Sequence, residues 1–157
     1  TGATTRDLEA SLEHPATRTA IQRANAIVVS IGANDFRAML LGEETERTPF
    51  ELIDQVLQNI DAIVGDIRSL SAEARILLLG GYPPIAHDRA GALLEPVIAI
   101  WDGALMAQFA GDGLVTVVRL SDIVNRPDRL SREDSFHPGS EAYQETAKRI
   151  AALLVQQ

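Results

Sequence analysis

Three short apolar runs divide the chain. Residues 26–31 read AIVVSI, residues 75–80 RILLLG and residues 114–120 LVTVVRL. The first is continuous rather than alternating, the pattern of a parallel strand covered on both faces. Around these runs the apolar positions recur at helical spacing. Leu8 and Leu12 predict a short helix over residues 5–13, with Thr4 or Thr5 as its N-cap. Proline disfavours helix in the residue before it, so His14-Pro15 ends that helix. Residues 17–24 add another helical turn or two. Residues 36–41 read as a short helical or irregular piece, and residues 43–47 as a charged surface loop. Thr48-Pro49-Phe50-Glu51 combines an N-cap threonine, a proline at the first position and a glutamate three residues after the cap. The helix it opens runs to about Leu70 on a stripe of Leu52, Val56, Ile60, Ile63, Ile67 and Leu70.

After the second strand, residues 81–84 (GYPP) form a rigid turn and residues 87–91 a polar loop. A long helix over residues 92–110 carries Leu94, Ile98, Trp101, Leu105 and Phe109, and Gly111-Asp112-Gly113 terminates it. A loop over residues 121–133 follows the third strand, and the last helix starts near Pro138. Helices alternate with strands, and the crossovers are long enough for parallel pairing. The predicted architecture is three-layer α/β. The length of 157 residues, with no linker or internal repeat, predicts a single domain.

Two polar stretches sit where such a fold does chemistry. Gly32-Ala33-Asn34-Asp35 follows the first strand directly. A parallel strand that ends in a glycine turn delivers its next polar residues to the carboxyl edge of the sheet, where open α/β folds bind ligands. Asp134-Ser135-Phe136-His137-Pro138 precedes the last helix. It sets an acid three residues from an imidazole, and a catalytic base needs such an acid to hold its tautomer. Without the first stretch, the second also reads as a polar loop with a chance acid and histidine.

Together, in this order, the two stretches resemble blocks of the SGNH (GDSL-type) hydrolase family of esterases and lipases. Gly32-Ala33-Asn34-Asp35 is similar to the family's third block, residues 134–137 to its fifth, and Thr1-Gly2-Ala3-Thr4-Thr5 to its glycine-bearing second. The resemblance implies a flavodoxin-like parallel sheet with flanking helices, and a single SGNH-hydrolase-like domain over residues 1–157. It implies His137 as base, Asp134 as its orienting acid, and Asn34 with Gly2 as oxyanion-hole donors. The family's first block, Gly-Asp-Ser, carries the nucleophilic serine, and no Gly-Asp-Ser occurs in the chain. The expectation is therefore the C-terminal part of such a domain, with its first strands and its serine upstream. A missing N-terminal segment should then pair with the strand at 26–31, which would otherwise be a long, uncharged, apolar edge.

The remaining residues narrow the choice. Ser30, Ser69, Ser71, Ser121, Ser131, Ser135 and Ser140 all sit within predicted elements or loops that make poor nucleophile sites. Ser30 reads as lying inside the first strand, and Asp35 as a structural residue capping the piece at Phe36. His14 and His87 read as surface residues. A net charge of −8, from 22 acids and 14 bases, argues against a nucleic-acid partner. No cysteine, no metal-ligand spacing and no P-loop lysine occur, so no metal and no cofactor are expected. No apolar run reaches the ~20 residues of a membrane span. The expected substrate is a small ester, of a short acyl group or an acetylated sugar, bounded by Phe36 and Tyr82. Two other classes stay open at this point: a non-catalytic carbohydrate- or ligand-binding relative, and an unrelated α/β binding domain using the same strand-edge crevice.

Overall fold

The computed structural model describes residues 2–36, 39, 46–83 and 89–155. Along the chain run α1 (Thr5–Leu12), α2 (Pro15–Arg23), β1 (Ala26–Val29), a 3-10 turn (Ala33–Phe36), α3 (Pro49–Leu70), β2 (Arg75–Leu79), α4 (Arg89–Gln108), β3 (Val115–Val118), a second 3-10 turn (Pro127–Arg129) and α5 (Ser140–Val155). The three strands form one parallel sheet in the order β1-β2-β3 with flanking helices, the α/β class predicted from the sequence. Backbone bonds extend the ladders past the strand ends: Arg75 N–H donates to Asn25 O, Ile76 N–H to Leu114 O and Gly80 N–H to Val118 O. Among the described residues β1 pairs only with β2, and Val28 on it is 45% exposed.

The helix starts follow their capping chemistry. Thr4 and Thr48 each form a complete capping box, with Asp7 and Glu51 respectively. His14 does more than end α1. Its Nδ1 accepts the Ala16 N–H at 3.2 Å and caps α2, whose first residue is Pro15. Proline gives up no helical bond at that position. α4 starts three residues earlier than the pattern predicts and holds Pro96 inside it, where the ring forgoes one i→i−4 bond. β1 stops at Val29, so Ser30 follows the strand rather than lying within it. The predicted loop at 121–133 contains the turn Pro127–Arg129. His87, Pro84 and most of the pieces predicted at 36–41 and 43–47 lie outside the described residues.

The chain divides into two compact units, Thr1–Ile76 with Asp112–Thr116, and Leu77–Gly111 with Val117–Gln157. The first is centred on α3, which buries Leu52, Ile53, Val56, Leu57, Ile60, Ile63, Val64 and Ile67. Each such side chain contributes about 1.5–3 kcal/mol on burial. Ile53, Leu57 and Val64 widen the stripe read from the sequence, so α3 is covered over more than one narrow face. The second unit is built on Leu77, Val118, Leu120, Ile123, Val124, Leu130 and Ala142, with Tyr82 and the α5 residues Ile150, Leu153 and Leu154 packed against them.

Candidate active site

In the second unit, the segment from Arg129 to Tyr143 is a tightly bonded loop that leads into α5. Leu130 and Pro138 form an antiparallel bridge. Ser131 N–H donates to His137 O at 2.7 Å, Gly139 N–H to Arg129 O at 2.7 Å and Ser135 N–H to Ser131 O at 2.9 Å. A Cβ on Gly139 would lie 3.0 Å from Leu130 O and 3.3 Å from Arg129 O, so a larger residue at this close crossing of two backbones would push its neighbours by a few tenths of an ångström. Ser135 stands at φ 53°, in the left-handed region. That turn folds Asp134 back over the residues after it. Its Oδ1 accepts the N–H groups of Phe136 and His137, both at 3.0 Å.

The other carboxylate oxygen, Oδ2, lies 2.5 Å from His137 Nδ1. An ionised carboxylate only accepts, so Nδ1 carries the proton and Nε2 is left as the ring's basic nitrogen. The His137 side-chain hydrogen bond, followed by the two backbone N–H groups, lowers the Asp134 pKa to about 2. Asp134 is therefore ionised wherever the imidazole can act as a base. Both side chains remain about half exposed, at 50% and 42%. The Phe136 ring meets the imidazole edge-on, with centroids 5.3 Å apart. The Tyr82 phenol is pushed up to about 12, chiefly by burial and then by Tyr143 and the Asp134 charge, so it stays protonated beside the carboxylate.

A carboxylate the sequence reading passed over lies in the same unit. Asp102, on α4, is 4% exposed and accepts the Gly81 N–H at 2.8 Å. A Cβ on Gly80 would sit 2.7 Å from its Oδ1. The Gly80-Gly81 exit from β2 is thus moulded onto α4. Burial raises the Asp102 pKa against the pull of Gly81, Arg119 and Ser121. One signal could have found it: Asp102 is the single charged residue in residues 96–110.

Asn34 and Gly2 belong to the first unit. Gly32 leaves β1 at φ 108° and Gly2 stands at φ 89°, both conformations that favour glycine. A Cβ on Gly2 would meet nothing within 4 Å, so the demand there is conformational, not steric. Asn34 Nδ2 donates to Ala3 O at 2.9 Å, which ties the Asn34 amide to the residue after Gly2. The piece that Asp35 was expected to cap lies mostly outside the described residues. The Asp35 carboxylate accepts the Thr5 N–H at 3.0 and 3.2 Å and the Thr5 hydroxyl at 2.6 Å. The first turn of α1 has free N–H groups and a positive end, and a carboxylate is best placed there. Thr5 is fully buried, and its hydroxyl accepts from Asn59 Nδ2 at 2.7 Å. Thr5 was read only as a possible N-cap within the stretch Thr1–Thr5, and nothing in the sequence marked Asn59 as its partner.

Among the described residues no serine hydroxyl bonds the His137 imidazole. Ser69 Oγ donates to Asp66 O, Ser131 Oγ accepts from Glu133 N–H, and Ser71 and Ser140 stand at helix ends. No group of three His, Asp or Glu side chains among the described residues is placed to hold a metal ion. No described helix is long and apolar enough to cross a membrane.

Residues 1–145 match the GDSL-like lipase/acylhydrolase family. The uncharacterized protein YpmR of Bacillus subtilis is 24% identical over 151 residues, 92% of this chain and 59% of YpmR. The chain thus spans about 59% of the length of that curated relative. Among solved structures, the lipase Lip_vut3 from a goat rumen metagenome matches with a TM-score of 0.80 at 19% identity, over 95% of this chain and 73% of the lipase. A carbohydrate esterase of family 3 from Talaromyces cellulolyticus matches with a TM-score of 0.64 at 18% identity, over 99% of this chain and 68% of the esterase. These structural likenesses concern the fold.

Proposed function

The chain belongs to the GDSL-like lipase/acylhydrolase family, and from that premise we propose that it is the greater part of a serine ester hydrolase. His137 is the general base, Asp134 holds its Nδ1 proton, and Asn34 with the Gly2 amide stabilises the oxyanion. The observation that carries the reading is the Asp134 carboxylate seated on His137 Nδ1 at 2.5 Å, with its other oxygen occupied by two backbone N–H groups. An acid bound in this way fixes the ring and offsets the charge of the imidazolium as it forms.

The nucleophilic serine is assigned to a segment outside these 157 residues. Two observations support this. The sequence holds no Gly-Asp-Ser, and among the described residues β1 pairs on one side only, an edge that a further strand could extend. In the reaction, His137 Nε2 takes the serine proton as the hydroxyl oxygen attacks the ester carbonyl. The negative charge that develops on the carbonyl oxygen is met by the Asn34 Nδ2–H and the Gly2 N–H. The imidazolium then gives its proton to the leaving alcohol. Water repeats the sequence on the acyl-enzyme and releases the acid.

The substrate class follows from the surroundings and from the relatives. The acid–base pair is half exposed, with Phe136 against the imidazole and Tyr82 near the carboxylate. That suits a short acyl group on a bulky alcohol. The carbohydrate esterase of similar fold makes an acetylated sugar the first candidate.

The test is the whole protein with p-nitrophenyl acetate and with an acetylated oligosaccharide. His137→Ala should lower kcat by about 10⁴-fold or more, as for a base acting in concert with its nucleophile. A fluorophosphonate should label one serine, which peptide mass spectrometry should find outside these 157 residues. Turnover by His137→Ala equal to wild type would remove the reading, and so would a labelled serine within residues 1–157. Saturable binding of the oligosaccharide with no hydrolysis would make the protein a binding relative instead.

A further inference from the structure

Asp35 is the focus of a part-buried chain of hydrogen bonds with one direction. Gln55 Nε2 donates to Asn59 Oδ1 at 3.1 Å, Asn59 Nδ2 to Thr5 Oγ1 at 2.7 Å, and Thr5 Oγ1 to Asp35 Oδ1 at 2.6 Å. The chain joins α3, the start of α1 and the turn after β1, segments 30 and 54 residues apart in sequence. Its middle member, Thr5, is fully buried. The Thr5 hydroxyl spends its one proton on the carboxylate and a lone pair on Asn59, so its rotamer is fixed from both sides.

A second cross-link runs beside the first. Asn34, next to Asp35, donates from Nδ2 to the carbonyl of Ala3, two residues before Thr5. The same two segments, residues 2–5 and 32–36, are therefore tied twice. One tie is part-buried and rests on a carboxylate. The other is exposed and uses one of the two Asn34 amide protons. With that proton committed to Ala3 O, the plane of the amide is set and the second proton keeps a defined direction. Gly2, held at φ 89°, precedes the anchored carbonyl directly.

We propose that Asp35, Thr5 and Asn59 form a positioning brace that presets the Asn34 side chain and the Gly2 backbone as a pair of oxyanion donors. The inference rests on the serine-hydrolase reading for what the donors do, but the brace itself is a property of the first unit. Donors stabilise a transition state only when they need no reorganisation as the charge appears, and a first shell is held in place by the bonds behind it. None of the three brace residues is required to touch substrate.

The experiment uses the whole protein with Thr5→Val, which keeps the β-branched shape and removes the hydroxyl, and Thr5→Ser, which restores it. Misplacing a catalytic group by about 1 Å costs about 10²-fold in rate. Thr5→Val should lower kcat by about 10- to 100-fold, leave KM within about twofold, and weaken a boronic acid inhibitor, whose adduct carries the tetrahedral oxygen, by the same factor as kcat. Thr5→Ser should recover most of both. A Thr5→Val enzyme with wild-type kcat per folded molecule would overturn the proposal, as would a Thr5→Ser enzyme impaired as much as Thr5→Val. A readout independent of catalysis accompanies this. In NMR of the wild type, the Asn34 side-chain amide should show one slowly exchanging, shifted proton, and Thr5→Val should abolish it. If that proton is unchanged in Thr5→Val, the brace does not position Asn34, whatever the activity. If the wild type hydrolyses no ester, the hydrolase reading fails while the NMR result still decides the brace.

Discussion

The two carboxylates singled out here are held in opposite ways. Asp134 is half exposed, and all three of its bonds go to residues two and three positions further along the chain. Asp35 bonds across 30 residues to Thr5, a threonine with no exposure at all. The first arrangement is a short-range loop motif that supplies its own geometry. The second exists only once α1, α3 and the turn after β1 have folded against each other. A site that moves protons can be built locally and left open to water and substrate. A site that must hold donors still is better anchored in a core.

The contrast predicts a crossed pattern of effects, and the largest is on the rate. In the whole protein, Asp134→Ala should lower kcat by about 10⁴-fold, the cost of losing the group that sets a catalytic histidine's tautomer. The loop is on the surface, so unfolding should stay cooperative. Asp35→Ala should do the reverse. It strips the acceptor from the buried Thr5 N–H and hydroxyl, and each buried donor left unsatisfied costs about 1–3 kcal/mol. A loss of about 2–4 kcal/mol in urea unfolding is expected, with a smaller effect on kcat than that of Asp134→Ala. Equal stability losses from the two variants would break the comparison.

Acid sharpens it further. The folded pKa of Asp134 is lowered from 3.8 to about 2 by His137 and the two backbone N–H groups. A depressed carboxyl stabilises the fold above its unfolded pKa and loses that contribution as pH falls through the folded value. The stability difference between wild type and Asp134→Asn should therefore be constant above about pH 4 and vanish on the way to about pH 2. A difference that persisted at pH 2 would mean that the bonds to Asp134 do not depend on its charge.

The same local-versus-distant division explains what could be read from the sequence. An N-cap at Thr4 or Thr5, the capping box at Thr48, the strand at β1 and the Asp134–His137 spacing all involve neighbours within four residues, so the pattern alone reveals them. The stripe on α3 is periodic and equally plain. Asp35 was read as a local cap because its sequence neighbours are all that the sequence offers. Its bonds to Thr5 reach into α1, and nothing in TRDLEASLE marks Thr5 as buried. Asp102 was lost for the same reason. It lies in the apolar stretch 96–110, and it bonds the backbone of Gly81, 21 residues away. The start of α4 was read three residues late because residues 87–91 look like a polar loop, and Arg89 to Gly91 belong to the helix.

Asp102 itself supplies a smaller test. Burial raises its pKa, so its charge is a cost that grows as pH rises past 3.8. Asn at this position keeps an oxygen for the Gly81 N–H and removes the buried charge. Asp102→Asn should match or exceed wild-type stability at neutral pH, by up to about 1 kcal/mol, whereas Asp102→Ala should lose about 1–3 kcal/mol by orphaning that N–H. Calorimetry at pH 7 separates the two. If Asn proved as harmful as Ala, the charge itself would be stabilising, through Arg119 and the charge-assisted bond to the Gly81 N–H.

The smallest expected effect lies inside the Asp134 loop. Ser135 is held at φ 53° so that the carboxylate can turn back onto the Phe136 and His137 N–H groups. A non-glycine residue in that conformation costs about 1–2 kcal/mol. Ser135→Gly removes the cost but gives the unfolded chain more freedom, worth about 0.4–1 kcal/mol in the opposite sense. The two nearly cancel, and a gain of no more than about 1 kcal/mol should remain. Ser135→Val should lose at least as much as Gly gains, because a β-branched side chain fits this region worst. The Ser135 hydroxyl has no part in the proposed chemistry, so Ser135→Gly should keep its kcat. A large drop in kcat with stability unchanged would show that the serine does more than shape the turn. A large loss of stability would show that the loop depends on its backbone restraint, and that the three bonds of Asp134 are not enough to hold an acid and a histidine together.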